Sequence, residues 1–202
     1  MKDNFTEKAK EWDSPGKIQM ATTFVNELLK NITLSKDLKA LEIGAGTGLV
    51  GLQILPQIQS IVFEDTSAAM LEVLQQKVNG TANVEILFGD VQLYTNRDID
   101  IVFSNMAFHH IHDIDGALEH IFSITKENAK VIVSDLVTED GSFHQFAADI
   151  PHLGFELAAL EQKFVKAGFV VEKAYVYNTL KREMEAGKFA DYDQFIMVAQ
   201  KV

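Results

Sequence analysis

Short apolar runs alternate with helix-length amphipathic stretches along nearly all of this 202-residue chain. That order constrains the fold most, because strands joined through helices pair in parallel, with crossovers packed on the sheet faces. Residues 38–43 (LKALEI), 60–64, 84–88, 99–104, 129–136, 170–177 and 195–200 read as strands. Residues 17–31 put Ile18, Ala21, Val25, Leu28 and Leu29 on one helical stripe, and residues 49–55 read as a short helix. The next helix aligns Met70, Leu71, Leu74 and Val78, with Thr66 or Ser67 as its cap. Residues 115–124 turn Ala117, Leu118 and Ile121 inward, and residues 155–167 form a helix that Gly168 ends. The run 129–136 is apolar enough for burial on both faces, as in a parallel sheet. Only a hairpin-like excursion, residues 178–194, separates the last two strands, so the final strand is expected to be antiparallel. The expectation is an α/β, doubly wound, seven-stranded sheet forming one domain over residues 1–202. Residues 1–35 would cap it as a helical segment, and residues 137–155 would form a lid.

Composition narrows the partners. Hydrophobic residues make up 47% and charged residues 23%, the balance of an ordinary globular domain. The net charge of −11 repels the phosphate backbones that supply most non-specific nucleic-acid affinity. The nearest basic patch, Lys181, Arg182 and Lys188, is broken by Glu183 and Glu185. No apolar run approaches the roughly 20 residues of a membrane helix, and the charged start MKDNFTEKAKEWD lacks a signal core. These features point away from nucleic acid and membrane and toward a cytoplasmic protein acting on a small molecule. The absence of cysteine removes disulfides and thiol chemistry, and no histidine–carboxylate spacing suggests a metal site.

Ligands of open α/β sheets bind beyond the carboxyl ends of the strands, and the informative residues stand there. After the first strand comes Gly44-Ala45-Gly46-Thr47-Gly48, a loop that lets a ligand approach the main chain and opens a helix N-terminus. Gly46 to Gly51 also fits GxGxxG, with Glu64 near the spacing of a dinucleotide site. Two features weigh against a dinucleotide. The pattern starts two residues late, and Glu42, at the tip of the strand, would repel a pyrophosphate while favouring a cation such as the sulfonium or ammonium of S-adenosylmethionine (SAM). After the second strand, Glu64 and Asp65 compete as acceptor for ribose hydroxyls, with Asp65 preferred because it opens the loop DTSAAML. Gly89-Asp90-Val91 follows the third strand, where Asp90 can accept an exocyclic amine. Ser104-Asn105-Met106-Ala107-Phe108-His109-His110 follows the fourth, and either histidine is a candidate general base. Asp135 opens the loop after the fifth strand. Beyond it, Phe143, His144, Phe146, His152 and Phe155 offer a mixed aromatic and polar lining for an acceptor pocket.

Together these residues resemble the class I SAM-dependent methyltransferases, over roughly residues 36–202 and most closely the small-molecule type 11/12 subgroup. LEIGAGTG is similar to that family's first motif, EDTSAAML to its ribose motif, FGDV to its adenine motif, and DIDIVFSNMAFHHIHD to its fourth motif. FTEKAKEWD resembles the subgroup's entry helix. The resemblance implies a Rossmann-like sheet with SAM as cofactor. It places Glu42, Gly44 and Asn105 by the methionine part, Gly46 under the cofactor, Asp65 on the ribose and Asp90 on the adenine amine. Ala45, Gly48, Thr66, Met70, Gly89, Val91 and Met106 complete the expected lining. The chain departs from the family where Glu127-Asn128-Ala129 replaces the usual Gly-Gly before the fifth strand, and no Asn/Asp-Pro-Pro-Tyr follows the fourth. The implied chemistry is in-line displacement of the sulfonium methyl by a small-molecule nucleophile, with a base needed only where the acceptor must lose a proton. An NAD(P)-dependent oxidoreductase and a non-catalytic SAM-binding protein stand as alternatives. Phe189, Tyr192 and Phe195 are either core or a homodimer face.

Overall fold

Seven strands form one sheet in the computed structural model, which describes residues 9–144, 150–185 and 187–202. They are β1 (Lys39–Ile43), β2 (Ser60–Asp65), β3 (Val84–Phe88), β4 (Ile99–Asn105), β5 (Thr125–Leu136), β6 (Phe169–Glu185) and β7 (Lys188–Lys201), in the order β3-β2-β1-β4-β5-β7-β6. The first five pair in parallel, and β7 runs antiparallel to both β5 and β6. The chain winds outward from β1 to β3 and then returns to β4 on the other side. The topological switch point therefore lies between β1 and β4, where such sheets open a crevice for ligands.

The helices cover both faces, as the sequence pattern requires. They are α1 (Pro15–Asn31), α2 (Gly51–Ile54), α3 (Ala68–Lys77), α4 (Ile114–Ile124) and α5 (Leu157–Lys166). Ser14, Ser67, Asp113 and Glu156 cap α1, α3, α4 and α5 by accepting otherwise unpaired backbone N–H groups. On one face, Phe24 and Leu28 of α1 and Leu74 of α3 pack on Ile61, Phe63 and Phe103. On the other, Leu118 and Ile121 of α4 and Phe164 of α5 pack on Val102, Val131 and Phe195. Val131, Ile132 and Val133 are wholly buried, so both faces of β5 are covered, as its unbroken apolar run predicts.

Three details differ from the sequence expectation. The helix over 49–55 shortens to α2 plus a 3-10 turn, Leu55–Gln57, in which Pro56 lacks the N–H needed to continue. Residues 178–194 are not a loose excursion. They extend β6 and β7 into one long hairpin, paired from Phe169–Lys201 to Glu185–Lys188 with Gly187 in its turn at φ 80°. β5 reaches only the Leu136–Gln194 pair, so the far end of the hairpin projects past the carboxyl edge of the parallel strands. Finally, β5 begins at Thr125 and not at Ala129, and Asn128 within it adopts φ 65°, a left-handed conformation that asparagine tolerates. Tyr192 and Phe195 are core residues, whereas Phe189 is 66% exposed. Among the described residues no helix is long and apolar enough to cross a membrane.

Candidate cofactor and active site

The loop after β1 carries Gly44, Gly46 and Gly48 at φ 67°, 55° and 80°, all left-handed. A side chain at Gly44 would collide with the Cβ of Ala107, so the β1 and β4 loops touch only because this residue is glycine. Gly46 is different. A Cβ there would meet nothing closer than the Trp12 indole nitrogen at 3.8 Å, so the backbone of this residue has an open side.

The end of β2 laces this loop in place. The amide of Gly44 donates to Glu64 Oε2 at 3.1 Å, that of Ala45 to the Glu64 carbonyl at 2.8 Å, and that of Gly46 to Asp65 Oδ2 at 2.6 Å. Asp65 Oδ1 also accepts the Ser67 amide at 2.8 Å. Glu64 and Asp65 differ in burial. Glu64 is 4% exposed, and burial raises its carboxyl to about 8, whereas Asp65 is half-buried at the rim. Glu42 turns inward at the end of β1. Its side chain is buried, its Oε2 accepts the Gly51 amide at 3.0 Å, and burial holds its carboxyl well above the ordinary glutamate range.

The remaining cofactor candidates line the same edge. Gly89 donates to the Asp65 carbonyl at 3.0 Å and takes φ 121°. Asp90 is exposed and accepts the Gln92 amide at 2.9 Å. Thr66 is exposed, and Ser67, not Thr66, caps α3. Met70 and Val91 are buried. Met106 sits at φ 58° with its amide donating to the Ser134 carbonyl, a strained turn that directs the segment after β4 across the switch point. The N-terminal segment closes over the loop: Asp13 accepts the Thr47 hydroxyl at 2.5 Å and pairs with Lys77 at 2.6 Å, while Lys77 also donates to the Thr47 carbonyl. Sequence reasoning assigned no role to Trp12, Asp13 or Lys77; the entry-helix resemblance was the only signal pointing there.

Beyond β4 and β5 lies a cluster of histidines. His109 is 1% exposed, and Asp135 grips it twice, accepting its Nδ1 at 2.7 Å and its amide at 3.1 Å. The rings of His110 and His144 stand 4.2 and 4.8 Å from that of His109. Burial, with the neighbouring His109, brings both His110 and His144 down to about 4, so both are neutral at pH 7. His152 Nε2 donates to the Ile111 carbonyl at 2.9 Å, and the His152 backbone amide donates to the His109 carbonyl. The expected aromatic lining divides in two. Phe143 packs on His144, and His152 packs on Phe155, which is itself buried against Phe195; Phe146 lies outside the described residues. The projecting hairpin holds the segment after β5, since Tyr192 bonds the Ser142 hydroxyl at 2.7 Å and Arg182 donates to the Phe143 carbonyl. Buried side-chain atoms without a hydrogen-bond partner include Asn105 Oδ1, His109 Nε2 and His144 Nε2, all on this edge. No group of histidine and carboxylate side chains among the described residues is placed to hold a metal.

Comparison with known proteins assigns this architecture. Residues 41–131 match the family model described as a methyltransferase domain, a span running from the glycine loop into β5. Over this span the chain is similar to methyltransferase domains. Malonyl-[acyl-carrier protein] O-methyltransferase 1 of Ilyobacter polytropus is 27% identical over 172 residues, covering 84% of this chain and 63% of that protein. The chain thus spans less than two thirds of the length of the first curated relatives it matches. A chain from the Haloferax volcanii complex of the Trm112 methyltransferase activator superposes with a TM-score of 0.82 at 17% identity, over 99% of this chain and 98% of that one. A SAM-dependent methyltransferase from Aquifex aeolicus gives a TM-score of 0.73 at 19% identity, covering 98% of each. At such identities these likenesses show the fold, and the fold is the Rossmann-like sheet expected from the sequence.

Proposed function

We propose that the protein transfers the methyl group of SAM to a small-molecule acceptor. One observation carries this reading. Three consecutive amides of the glycine loop are tied to Glu64 and Asp65, which leaves the backbone of Gly46 open toward the carboxyl edge beside a half-buried acid. That arrangement suits a nucleoside whose ribose hydroxyls bond Asp65 and whose adenine lies toward Gly89, Asp90 and Val91. The methionine part would run over Gly44, Ala45 and Gly48 toward Asn105 and Met106, with Asn105 Oδ1 available to an ammonium group. Bound there, SAM supplies an electrophilic methyl on a sulfonium. The chain's own work is to align the acceptor and exclude water, which the segment 137–144 and the hairpin beyond Gln194 serve.

The acidic surface and the narrow, histidine-lined acceptor side favour a small molecule over a nucleic acid, and these features suit a cytoplasmic enzyme. The exposed Phe189 at the hairpin tip is the natural seat of any homodimer contact. Incubation with methyl-labelled SAM and a deproteinised metabolite extract tests the reading. A labelled small product supports transfer. Tight SAM binding without any labelled product favours a non-catalytic SAM-binding protein. Thermal stabilisation by NAD(P) but not by SAM favours an oxidoreductase.

A further inference from the structure

We infer that the His109–Asp135 pair is a general base, and that the acceptor atom methylated here carries a proton at neutral pH: a hydroxyl, a carbon acid or an ammonium rather than a carboxylate. The inference rests on the methyl-transfer reading above and extends it to the class of acceptor.

The geometry is that of an oriented imidazole. Asp135 is fully buried at the end of β5, and its carboxylate accepts three N–H groups: Nδ1 of His109 at 2.7 Å, the His109 amide at 3.1 Å and the Leu136 amide at 2.7 Å. Three donors directed at one carboxylate fix it as the acceptor, so His109 carries its proton on Nδ1. Nε2 is then the atom left to accept one. It is buried and has no hydrogen-bond partner among the described residues. A purely structural histidine in a core satisfies both ring nitrogens, and leaving one unpaired costs about 1–3 kcal/mol. His109 stands two residues beyond Ala107, whose Cβ lies against Gly44, so the unpaired nitrogen belongs to the segment that crosses the switch point beside the glycine loop.

The surroundings keep this nitrogen away from solvent. His110 and His144 flank the ring as neutral imidazoles, Phe143 packs on His144, and Tyr192 packs on Phe143. A proton arriving at Nε2 makes an imidazolium whose charge Asp135 offsets across a 2.7 Å contact. The balance is simple. An acceptor R–XH gains the methyl at X and gives its proton to His109 Nε2, the carbon–sulfur electron pair stays on sulfur to leave neutral S-adenosylhomocysteine, and the imidazolium later returns its proton to water. A carboxylate acceptor has no proton to give and needs no such pair. Asp135 touches neither reactant, so it is a positioning residue.

Two measurements decide the matter. Long-range proton–nitrogen NMR of protein with ¹⁵N-labelled histidine, saturated with S-adenosylhomocysteine at pH 7.5, is expected to show His109 protonated on Nδ1 and bare on Nε2. In Asp135→Asn that preference should be lost. His109 protonated on Nε2 in the wild type would overturn the proposal. Separately, the methyl label transferred from SAM into a metabolite extract should survive mild alkali, as an ether, amine or carbon-bound methyl does. Release as methanol from a methyl ester would also overturn it. His109→Asn should lower the rate of labelling about 100-fold or more while SAM affinity by calorimetry stays within about twofold. Unchanged labelling by this variant refutes the base. Failure of the wild type to bind SAM instead refutes the methyl-transfer reading beneath it.

Discussion

Asp65 accepts the Gly46 amide at 2.6 Å across 19 positions of sequence, and so fastens the end of β2 to the glycine loop of β1. One carboxylate thereby shapes the cofactor loop and stands at its rim. Replacing it removes a loop anchor and a proposed ribose acceptor together.

Asp65→Ala should therefore weaken SAM binding about 100-fold or more, the scale of losing charge-assisted hydrogen bonds worth about 1.5–3 kcal/mol each. Asp65→Asn, which can still accept one amide, should fall between. Titration calorimetry of both variants measures this, and an unchanged dissociation constant in Asp65→Ala would move the ribose role to Glu64.

Gly44→Ala should destabilise the fold by about 2–5 kcal/mol. A left-handed residue costs about 1–2 kcal/mol without glycine, and the added methyl must displace Ala107. Urea unfolding reads the change. A loss below about 0.5 kcal/mol would mean that the β1 and β4 loops separate freely.

Glu64 links stability to pH. Burial raises its folded-state carboxyl from 4.5 to about 8. Between those values the folded protein holds a proton that the unfolded chain has released, so this residue's stabilisation is complete below pH 4.5 and is lost as pH rises through about 8. Glu64→Gln, which cannot ionise, should show a flatter fall in urea midpoint from pH 5 to 8 than the wild type. Parallel curves would place the proton elsewhere.

His110 and His144 act in the opposite sense. Burial lowers both to about 4, so above pH 6.5 they contribute fully, and their contribution is lost as pH falls toward 4. Acidification should loosen the lid around His144 before the sheet opens, seen as earlier hydrogen exchange in residues 138–144 than in β5. Simultaneous exchange of both would contradict this.

The sheet was legible because its signals are local. The unbroken apolar run of β5, the glycines after β1 and Ser67 ahead of α3 each carry their meaning within a few residues. What the sequence did not show depends on long-range contacts. The strand pairing of residues 178–194 is invisible where Lys181, Arg182 and Glu183 interrupt the apolar alternation, yet it carries the hairpin that holds Ser142 and Phe143. The sequence does not reveal that Glu42 turns inward to the Gly51 amide. Asp135 received no role from the sequence alone, since its partnership with His109 spans 26 residues.

The most direct test of the central claim is calorimetric titration of the wild-type protein with SAM near pH 7.5. The site described here predicts saturable binding at one site per chain, at micromolar concentrations. Absence of binding at millimolar SAM would contradict it.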